Sequence, residues 1–158
     1  MSVEVLVSTM YSNIDIVKDM NIYGSCTIIN QCDIDNFETD IQDKKKIKFI
    51  SSRERGLSKS RNLAISNAEE EILVLADDDI IYVDNYENII KEQYSKNKEY
   101  DIIVFQVEGI NKKFKNYYKK EKELNYLTSM KVSSVEITLR RSSIIKAGVK
   151  FNELLGAG

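Results

Sequence analysis

Short apolar runs alternate with longer segments of helical periodicity along most of the 158-residue chain. The apolar runs predict strands at Val3–Ser8, Ser25–Asn30, Ile47–Ile50, Glu71–Ala76, Asp101–Val107 and Val135–Leu139. Apolar residues at helical spacing predict helices over Asn13–Met20, Leu57–Ala68, Asp84–Lys96 and Ser142–Ala147, the last ended by Gly148. This alternation predicts an α/β fold with an open, mostly parallel sheet.

Continuous apolar runs such as Glu71–Ala76 are typical of parallel strands buried on both faces, so we expect helices on both faces of the sheet. The length and a composition of 42% hydrophobic and 30% charged residues fit one globular domain with its own core. We therefore interpret residues 1–158 as a single domain. The exception to the pattern is Asn111–Leu124, a basic and aromatic segment with six lysines and no clear period. An exposed helix or loop is its simplest interpretation, and acceptor contact or a membrane-surface patch are alternatives.

Charge and composition exclude several classes of function. A net charge of only -2 argues against a nucleic-acid partner held by bulk charge. The chain has no His, which excludes Ser-His-Asp and Cys-His catalysis as well as His-ligated metals. Any bound metal is then expected on oxygen ligands, as for Mg²⁺, Mn²⁺ or Ca²⁺.

The two cysteines and the N-terminus indicate a compartment. Cys26 and Cys32 lack a CxxC spacing, and we interpret them as reduced residues of a cytosolic protein. Glu4 interrupts the short apolar start of the chain, so no signal pattern is present. We expect a cytoplasmic location.

Polar and charged residues follow four of the predicted strands at the point where each strand ends. Ligands of open parallel sheets bind beyond the carboxyl ends of the strands, so these residues are expected to share one site. In strand order they are Ser8 and Thr9, then Asn30, Gln31 and Asp33, then Arg53 and Arg55, and finally Asp77, Asp78 and Asp79.

The residue types indicate a nucleotide diphosphate bound with a metal. Arg53, Arg55 and Arg61 surround the start of a predicted helix, whose free N–H groups also favour an anion. The three aspartates of LADDDI would hold a divalent cation that bridges to the same phosphates. Short polar side chains after the first two strands could contact a base or ribose. The simpler alternatives are a solvated turn for the aspartates and ordinary surface charges for the arginines, although three adjacent carboxylates are costly without a compensating cation.

The stretch RGLSKSRNLAISNAEEEILVLADDDI, which begins at Arg55, resembles the core of glycosyltransferase family 2. The positions that match the family pattern are Gly56, Leu57, Ser58, Arg61, Asn62, Ile65, Ala68 and the three aspartates. The resemblance implies the GT-A fold, a Rossmann-like sheet that binds nucleotide sugars, and Mn²⁺ or Mg²⁺ on the aspartates.

The resemblance also implies roles by position. Thr9 matches a residue that contacts the base, and Arg61 matches an arginine that faces the nucleotide. Asp77 and Asp79 match the outer aspartates of a DxD-type motif and are the expected metal ligands, with one of them near the ribose and sugar. Together with the strand-end residues, the expected nucleotide-binding set is Ser8, Thr9, Asn30, Gln31, Asp33, Arg55, Arg61, Asp77 and Asp78.

The chain departs from the family pattern in three places. The first strand ends Ser-Thr-Met-Tyr instead of Pro-Thr-Tyr-Asn, and the acidic segment after the second strand is replaced by Ile29–Asp33 (INQCD). We therefore expect an amide, Asn30 or Gln31, to hold the base. The family's catalytic Glu or Asp follows a Gly-x-Gly segment that resembles Phe151–Gly158 (FNELLGAG), so that base is expected beyond Gly158 and the chain is interpreted as the donor-binding part of a longer enzyme.

The function implied is transfer of a sugar, with inversion, from a UDP-sugar to an acceptor hydroxyl of a saccharide or lipid-linked saccharide. Bacterial surface polysaccharide synthesis, with peripheral contact at the inner face of the membrane through residues 111–124, is the expected context. One alternative is a nucleotide-sugar-binding fragment that lacks the acceptor base. A second is a receiver-like domain that accepts a phosphoryl group, with Mg²⁺ on the aspartates and Asp33 and Lys112 as its other key residues.

Overall fold

A computed structural model describes residues 1–42 and 45–154 of the chain. Within these ranges seven strands form one sheet, in the order β3-β4-β2-β1-β5-β7-β6. The strands are β1 (Val3–Met10), β2 (Ser25–Gln31), β3 (Asn36–Gln42), β4 (Lys45–Ser52), β5 (Ile72–Asp77), β6 (Ile102–Val104) and β7 (Ile137–Arg140).

The centre of the sheet is parallel and its margins are mixed. Strands β4, β2, β1 and β5 run parallel to one another, in registers that pair Thr9 with Asn30 and Ser8 with Asp77. Strand β3 pairs antiparallel with β4, and β7 pairs antiparallel with both β5 and β6. The predicted mostly parallel, open α/β sheet is confirmed.

Helices pack on both faces of the sheet, as the buried apolar strands predict. The helices of the described ranges are α1 (Ile16–Asp19), α2 (Leu57–Asn67), α3 (Tyr86–Lys96), α4 (Tyr126–Ser129) and α5 (Arg141–Ala147), of which α4 has no buried residue. On one face, alternate residues of β1 and its neighbours pack against Met20 next to α1 and Tyr94 of α3. On the other face, the intervening residues pack against Ala64 of α2, with Ile144 of α5 against the same cluster. Within residues 1–42 and 45–154, every helix lacks the length and hydropathy of a membrane-spanning segment.

The structure differs from the predicted elements where packing is thin. Strand β3, at Asn36–Gln42, is not predicted because it is a polar strand at the sheet margin with no apolar run, and even Phe37 is 56% exposed. Strand β6 covers only Ile102–Val104 of the predicted Asp101–Val107, and α1 covers only Ile16–Asp19 of the predicted Asn13–Met20. Residues 13–15, at the predicted start of α1, are exposed, whereas Met20 is buried but lies just past the last helical residue.

A buried carboxylate fixes the connection between α2 and β5 at the amino-terminal edge of the sheet. Glu4 is 2% exposed and accepts hydrogen bonds from Thr27 Oγ1 at 2.6 Å and from the backbone N–H groups of Glu69 and Glu70 at 2.7 and 3.0 Å. Lys48 Nζ lies 3.9 Å from Glu4 Oε1 and is itself buried. These bonds fix the residues just before β5, and hence the position of the aspartates at its carboxyl end.

The cysteines are free and buried, in line with their interpretation as reduced residues. Burial, with a smaller contribution from the nearby Glu4 carboxylate, raises the pKa of Cys26 to about 12. Its thiol therefore stays protonated at neutral pH and packs as a small apolar group.

We expect Ile28→Ala to destabilise the fold by about 2–5 kcal/mol, because it leaves a cavity in the parallel centre of the sheet. Ile28 is fully buried, whereas Ile34 is 56% exposed, and Ile34→Ala is expected to cost less than about 0.5 kcal/mol. Urea unfolding followed by circular dichroism measures both free energies. Equal costs would contradict the placement of Ile28 in the core.

Candidate functional site

The polar residues singled out after the first, second and fourth predicted strands lie along one edge of the sheet. The carboxyl ends of β2, β1 and β5 are neighbours there, as the pairing of Thr9 with Asn30 and of Ser8 with Asp77 shows. Adjacent strands are about 4.8 Å apart, so the ends of β2 and β5 are separated by about 10 Å. This edge is where open α/β sheets bind ligands.

The three aspartates after β5 have different environments. Asp77 Oδ1 accepts a hydrogen bond at 2.9 Å from Arg61 Nη2, and the Asp77 side chain is 35% exposed. Asp78 Oδ2 accepts one at 2.6 Å from Thr9 Oγ1. Asp79 is exposed and has no hydrogen-bond or ion-pair partner among the described residues. Two carboxylates are thus held by donors from α2 and β1, and the third faces solvent.

Arg61 is buried beside Asp77 and its donors are only partly used. Its side chain is 11% exposed, and Nη2 also donates to Ser134 Oγ at 2.7 Å. The guanidinium lies over the Phe151 ring, 5.7 Å from its centroid. The Arg61 Nε–H is buried and has no partner within the described part of the chain. The guanidinium is therefore held in place through Nη2, with its buried Nε–H unused.

A second cluster forms beyond β2, around Asp33. Asp33 Oδ1 accepts from Tyr11 Oη at 3.0 Å and from Arg55 Nη2 at 2.9 Å. The Arg55 guanidinium also lies 5.6 Å from the centroid of the Tyr11 ring. Tyr11 has a positive φ of 49°, an unfavourable backbone conformation for a bulky residue, and its side chain remains 64% exposed. This cluster presents an aromatic ring at the edge of the site.

The three arginines expected to share one diphosphate site serve two separate groups instead. Arg55 Nη1 donates to the carbonyl oxygens of Cys32, Ser52 and Arg53 at 2.8–3.2 Å. Arg53 Nε donates to the Asp33 carbonyl at 3.0 Å. Both side chains therefore brace the loops after β2 and β4 through backbone carbonyls. Among these three, Arg61 is the one that reaches the acidic end of β5.

The remaining strand-end residues are held by internal hydrogen bonds. Ser8 Oγ accepts from Ser60 Oγ at 2.8 Å, and Asn30 Oδ1 accepts from the Ser12 N–H at 2.9 Å. Gln31 Nε2 donates to the carbonyl of Gly56 at 3.2 Å, and also to that of Glu54 at 2.8 Å. These side chains are buried beneath the loops at the carboxyl edge of the sheet. Their hydrogen bonds hold those loops in place.

Comparison with known proteins identifies the family. The profile of the family described as "Glycosyl transferase family 2" matches residues 26–150. The chain belongs to glycosyltransferase family 2. No curated protein sequence matches it.

Solved structures share the fold of this family 2 chain. The crystal structure of S. aureus TarS residues 1–349 superposes with a TM-score of 0.74 at 18% identity and covers 100% of this chain and 52% of its own. The same protein in complex with UDP-GlcNAc has a TM-score of 0.69 and 18% identity, and the match covers 96% of this chain and 49% of the TarS chain. A further crystal structure of S. aureus TarS has a TM-score of 0.71 and 20% identity, and that match covers 100% of this chain and 32% of the TarS chain. The family 2 chain thus spans about half the length of the 1–349 structures. Family and fold favour a glycosyltransferase over the receiver-like alternative.

The acidic end of β5 presents two carboxylates that could serve as metal ligands. No group of three acidic or cysteine side chains converges to hold a metal anywhere in residues 1–42 and 45–154. Asp79 is free to bind a cation, and Asp77 has one oxygen, Oδ2, that Arg61 does not contact. Two carboxylates fit a Mg²⁺ or Mn²⁺ whose other ligands are phosphate oxygens and water. The family 2 site is therefore suited to a cation that arrives with a diphosphate.

Three further residues, Asn62, Ser134 and Glu136, lie around Arg61 and connect it to neighbouring segments. No role is assigned to them from the sequence. Asn62, which follows Arg61, donates to the Phe151 carbonyl at 3.0 Å and accepts from its N–H at 2.9 Å. It also donates to Glu153 at 3.0 Å. Ser134 and Glu136 lie in a 3₁₀ turn (Ser134–Glu136) just before β7. The Ser-x-x-Glu spacing that starts at Ser133 is the capping-box pattern that could have indicated this turn.

The segment that resembles the family's Gly-x-Gly region is only partly described. Phe151 packs against the α2 face of the sheet. Residues 155–158, which include both glycines of that segment, lie outside the described residues.

We expect Arg61→Met to destabilise this family 2 domain by about 1–3 kcal/mol, because Asp77 and Ser134 lose the donor that satisfies them. Lys59 lies two residues earlier on α2 and forms a contact of 3.8 Å with Glu54, a side chain that is 70% exposed. Lys59→Met is therefore a matched control, expected to change stability by less than about 0.5 kcal/mol. Urea unfolding compares the two variants, and equal losses would show that the Arg61 contact contributes nothing specific.

Proposed function

We propose that this family 2 chain binds a nucleotide-sugar donor at the carboxyl edge of its sheet and takes part in transferring the sugar to an acceptor hydroxyl. The observation that carries the proposal is the paired arrangement of Arg61 and Asp77–Asp79 at the end of β5. A cation-binding carboxylate and a buried guanidinium side by side suit a diphosphate leaving group. The UDP and UDP-GlcNAc complexes of S. aureus TarS support UDP as the nucleotide.

The spacing of the two clusters supports a particular orientation of the donor. The exposed Tyr11 ring and Asp33 lie beyond β2 and β1, and the aspartates lie beyond β5, about 10 Å away. A nucleoside that stacks on or beside Tyr11 would place its diphosphate near Asp79. Thr9 lies between the two clusters, on the strand between β2 and β5, and donates to Asp78 at 2.6 Å. In this orientation Asn30 and Gln31 support the base from below.

We propose Asp77 and Asp79 as the residues that would hold Mg²⁺ or Mn²⁺. The metal, when bound, would neutralise charge on the departing diphosphate. Arg61 supplies a fixed positive charge on the same side, and its burial strengthens its attraction to a phosphate oxygen. Asp78, held by Thr9, is assigned to orienting the donor rather than to the metal.

The acceptor half of the reaction has no residue assigned to it in this chain. Glu153, the nearest carboxylate to the family's base in sequence, accepts a hydrogen bond from Asn62 at 3.0 Å. We propose an inverting attack by a hydroxyl of a saccharide or lipid-linked saccharide in surface polysaccharide synthesis, activated by a carboxylate outside the described residues. Donor binding without transfer is the alternative, and incubation with UDP-sugar and acceptor distinguishes the two.

We expect UDP with Mn²⁺ to raise the melting temperature of the wild-type protein, and Asp79→Ala to remove the Mn²⁺-dependent part of that increase. Asp84→Ala is the matched control, since Asp84 is an exposed carboxylate five residues further on whose single hydrogen bond within the described ranges comes from Asn21 at 3.1 Å. Thermal-shift assays with a panel of nucleoside diphosphates, with and without Mn²⁺, provide the measurement. An intact UDP and Mn²⁺ response in Asp79→Ala would show that the metal assignment is wrong.

We also propose a cytoplasmic site of action with a peripheral membrane contact through residues 111–124. The segment exposes Phe114 by 44% and Tyr118 by 45%, among lysines that would attract anionic lipid headgroups. Lys115 and Tyr117 of the segment donate hydrogen bonds to Glu136 in the body of the domain, and these bonds hold the segment against the domain. Aromatic side chains with neighbouring lysines are typical of proteins that lie on a membrane surface.

Charge reversal tests the membrane contact. We expect the triple variant Lys119→Glu, Lys120→Glu, Lys122→Glu to reduce co-sedimentation with phosphatidylglycerol vesicles at least about tenfold, since each lysine near an anionic surface contributes about 1 kcal/mol. A control triple variant replaces exposed lysines elsewhere, at Lys18, Lys96 and Lys98. Equal losses in both variants would indicate nonspecific charge attraction and contradict a contact through 111–124.

A further inference from the structure

We propose that Glu136 is a positioning residue that keeps Asp77 available to a cation by controlling how Arg61 binds it. The inference deepens the proposed function and rests on it, because it assigns a purpose to the geometry of Arg61 at the donor site. It concerns a residue on the other side of the turn before β7, with no direct contact to the aspartates among its hydrogen bonds.

The starting observation is an incomplete ion pair. An arginine beside a carboxylate normally forms two parallel N–H to oxygen bonds. Arg61 instead contacts Asp77 through Nη2 alone, at 2.9 Å, and leaves its buried Nε–H without a partner in the described residues. A buried unpaired donor on a charged group is unfavourable, so something must hold the guanidinium away from the second carboxylate oxygen.

The restraint is Ser134. Its Oγ accepts from the same Nη2 at 2.7 Å, which draws that nitrogen towards β7, and the Phe151 ring lies against the guanidinium face. Without Ser134 in this position, the guanidinium could rotate to place Nε on Asp77 Oδ2. Both oxygens of Asp77 would then be occupied by Arg61, and the carboxylate would be a poorer metal ligand.

Ser134 is in turn held by the carboxylate of Glu136, two residues later. The Glu136 side chain is fully buried and accepts from the Ser133 N–H at 2.6 Å, which closes the 3₁₀ turn that contains Ser134. Lys115 Nζ and Tyr117 Oη donate to the same carboxylate. Three donors on one buried carboxylate are enough to fix the turn, and the Glu136 carbonyl also accepts from the Phe105 N–H at 2.8 Å.

The donors of Glu136 are suited to remaining in place at neutral pH. Burial, followed by the hydrogen bond to Glu136, raises the pKa of Tyr117 to about 12, so its hydroxyl keeps the proton that it donates. Glutamine in place of Glu136 would offer only one acceptor oxygen to three donors. At least one of Ser133, Lys115 and Tyr117 would lose its bond, and the turn would loosen.

Glu4 provides a matched control for Glu136. Both are buried carboxylates with three hydrogen-bond donors, but Glu4 lies at the opposite edge of the sheet, away from the aspartates. Glu4→Gln and Glu136→Gln should therefore both lower stability. A purely structural role for Glu136 predicts no further difference between the two variants.

The first measurement uses the ligand-free protein. The side-chain Nε–H signals of the five arginines can be resolved by nitrogen-15 NMR, and the loss of one signal in Arg61→Lys assigns Arg61. We expect Glu136→Gln and Ser134→Ala to shift the Arg61 signal as Nε gains Asp77 as a partner. We expect Glu4→Gln and Ser134→Thr, which keeps a hydroxyl, to leave it in place. Ser134→Ala removes one hydroxyl only and tests the inference even if Glu136→Gln does not fold.

The second measurement is calorimetric titration with UDP, with and without Mn²⁺. We expect Glu136→Gln and Ser134→Ala to weaken UDP binding about tenfold in the presence of Mn²⁺, the size of one hydrogen bond to a charged group, and to change metal-free binding little. Equal losses with and without Mn²⁺, the same loss in Glu4→Gln, or an unshifted Arg61 signal would overturn the positioning role. If wild-type protein binds no UDP under either condition, the proposed function fails, whereas the NMR comparison still decides whether Glu136 positions Arg61.

Discussion

The contact between Arg61 and Asp77 is the interaction on which the rest of the site depends. It joins helix α2 to strand β5 at the carboxyl edge of the sheet and compensates one of three adjacent negative charges. Thr9, on β1, donates a hydrogen bond to the second carboxylate, Asp78, and the third carboxylate faces solvent. The three adjacent carboxylates are therefore tolerated because each has a different environment. Asp79, which faces solvent, is the one free to bind a cation.

Much of the fold could be predicted because burial in this protein follows the apolar pattern. The parallel centre of the sheet consists of continuous apolar runs, and polar residues follow those runs at a common edge. Strand β3 could not be predicted, since a polar strand at the margin is stabilised by backbone pairing with β4 and not by an apolar face. Helix α4 was also missed, since it is a short turn set by the capping of Asn125 with no buried face.

The residue types of the candidate site could be predicted from the sequence more fully than the contacts that those residues make. Asp77 and Arg61 meet as predicted, but Arg53 and Arg55 donate to backbone carbonyls near Asp33. The buried carboxylates Glu4 and Glu136 have partners up to 66 residues away in sequence, so no local pattern reveals them. Hydrogen bonds of this kind join segments that are far apart in sequence: those of Glu4 fix the loop before β5, and those of Glu136 fix the turn before β7.

Anomalous diffraction at the manganese edge, from crystals grown with UDP and Mn²⁺, tests the donor site most directly. We expect one manganese peak on the carboxylates of Asp77 and Asp79, next to the diphosphate, with the nucleoside extending towards Tyr11 and Asp33. A manganese peak elsewhere in the molecule, or UDP bound away from the carboxyl edge of the sheet, would contradict the proposed donor site.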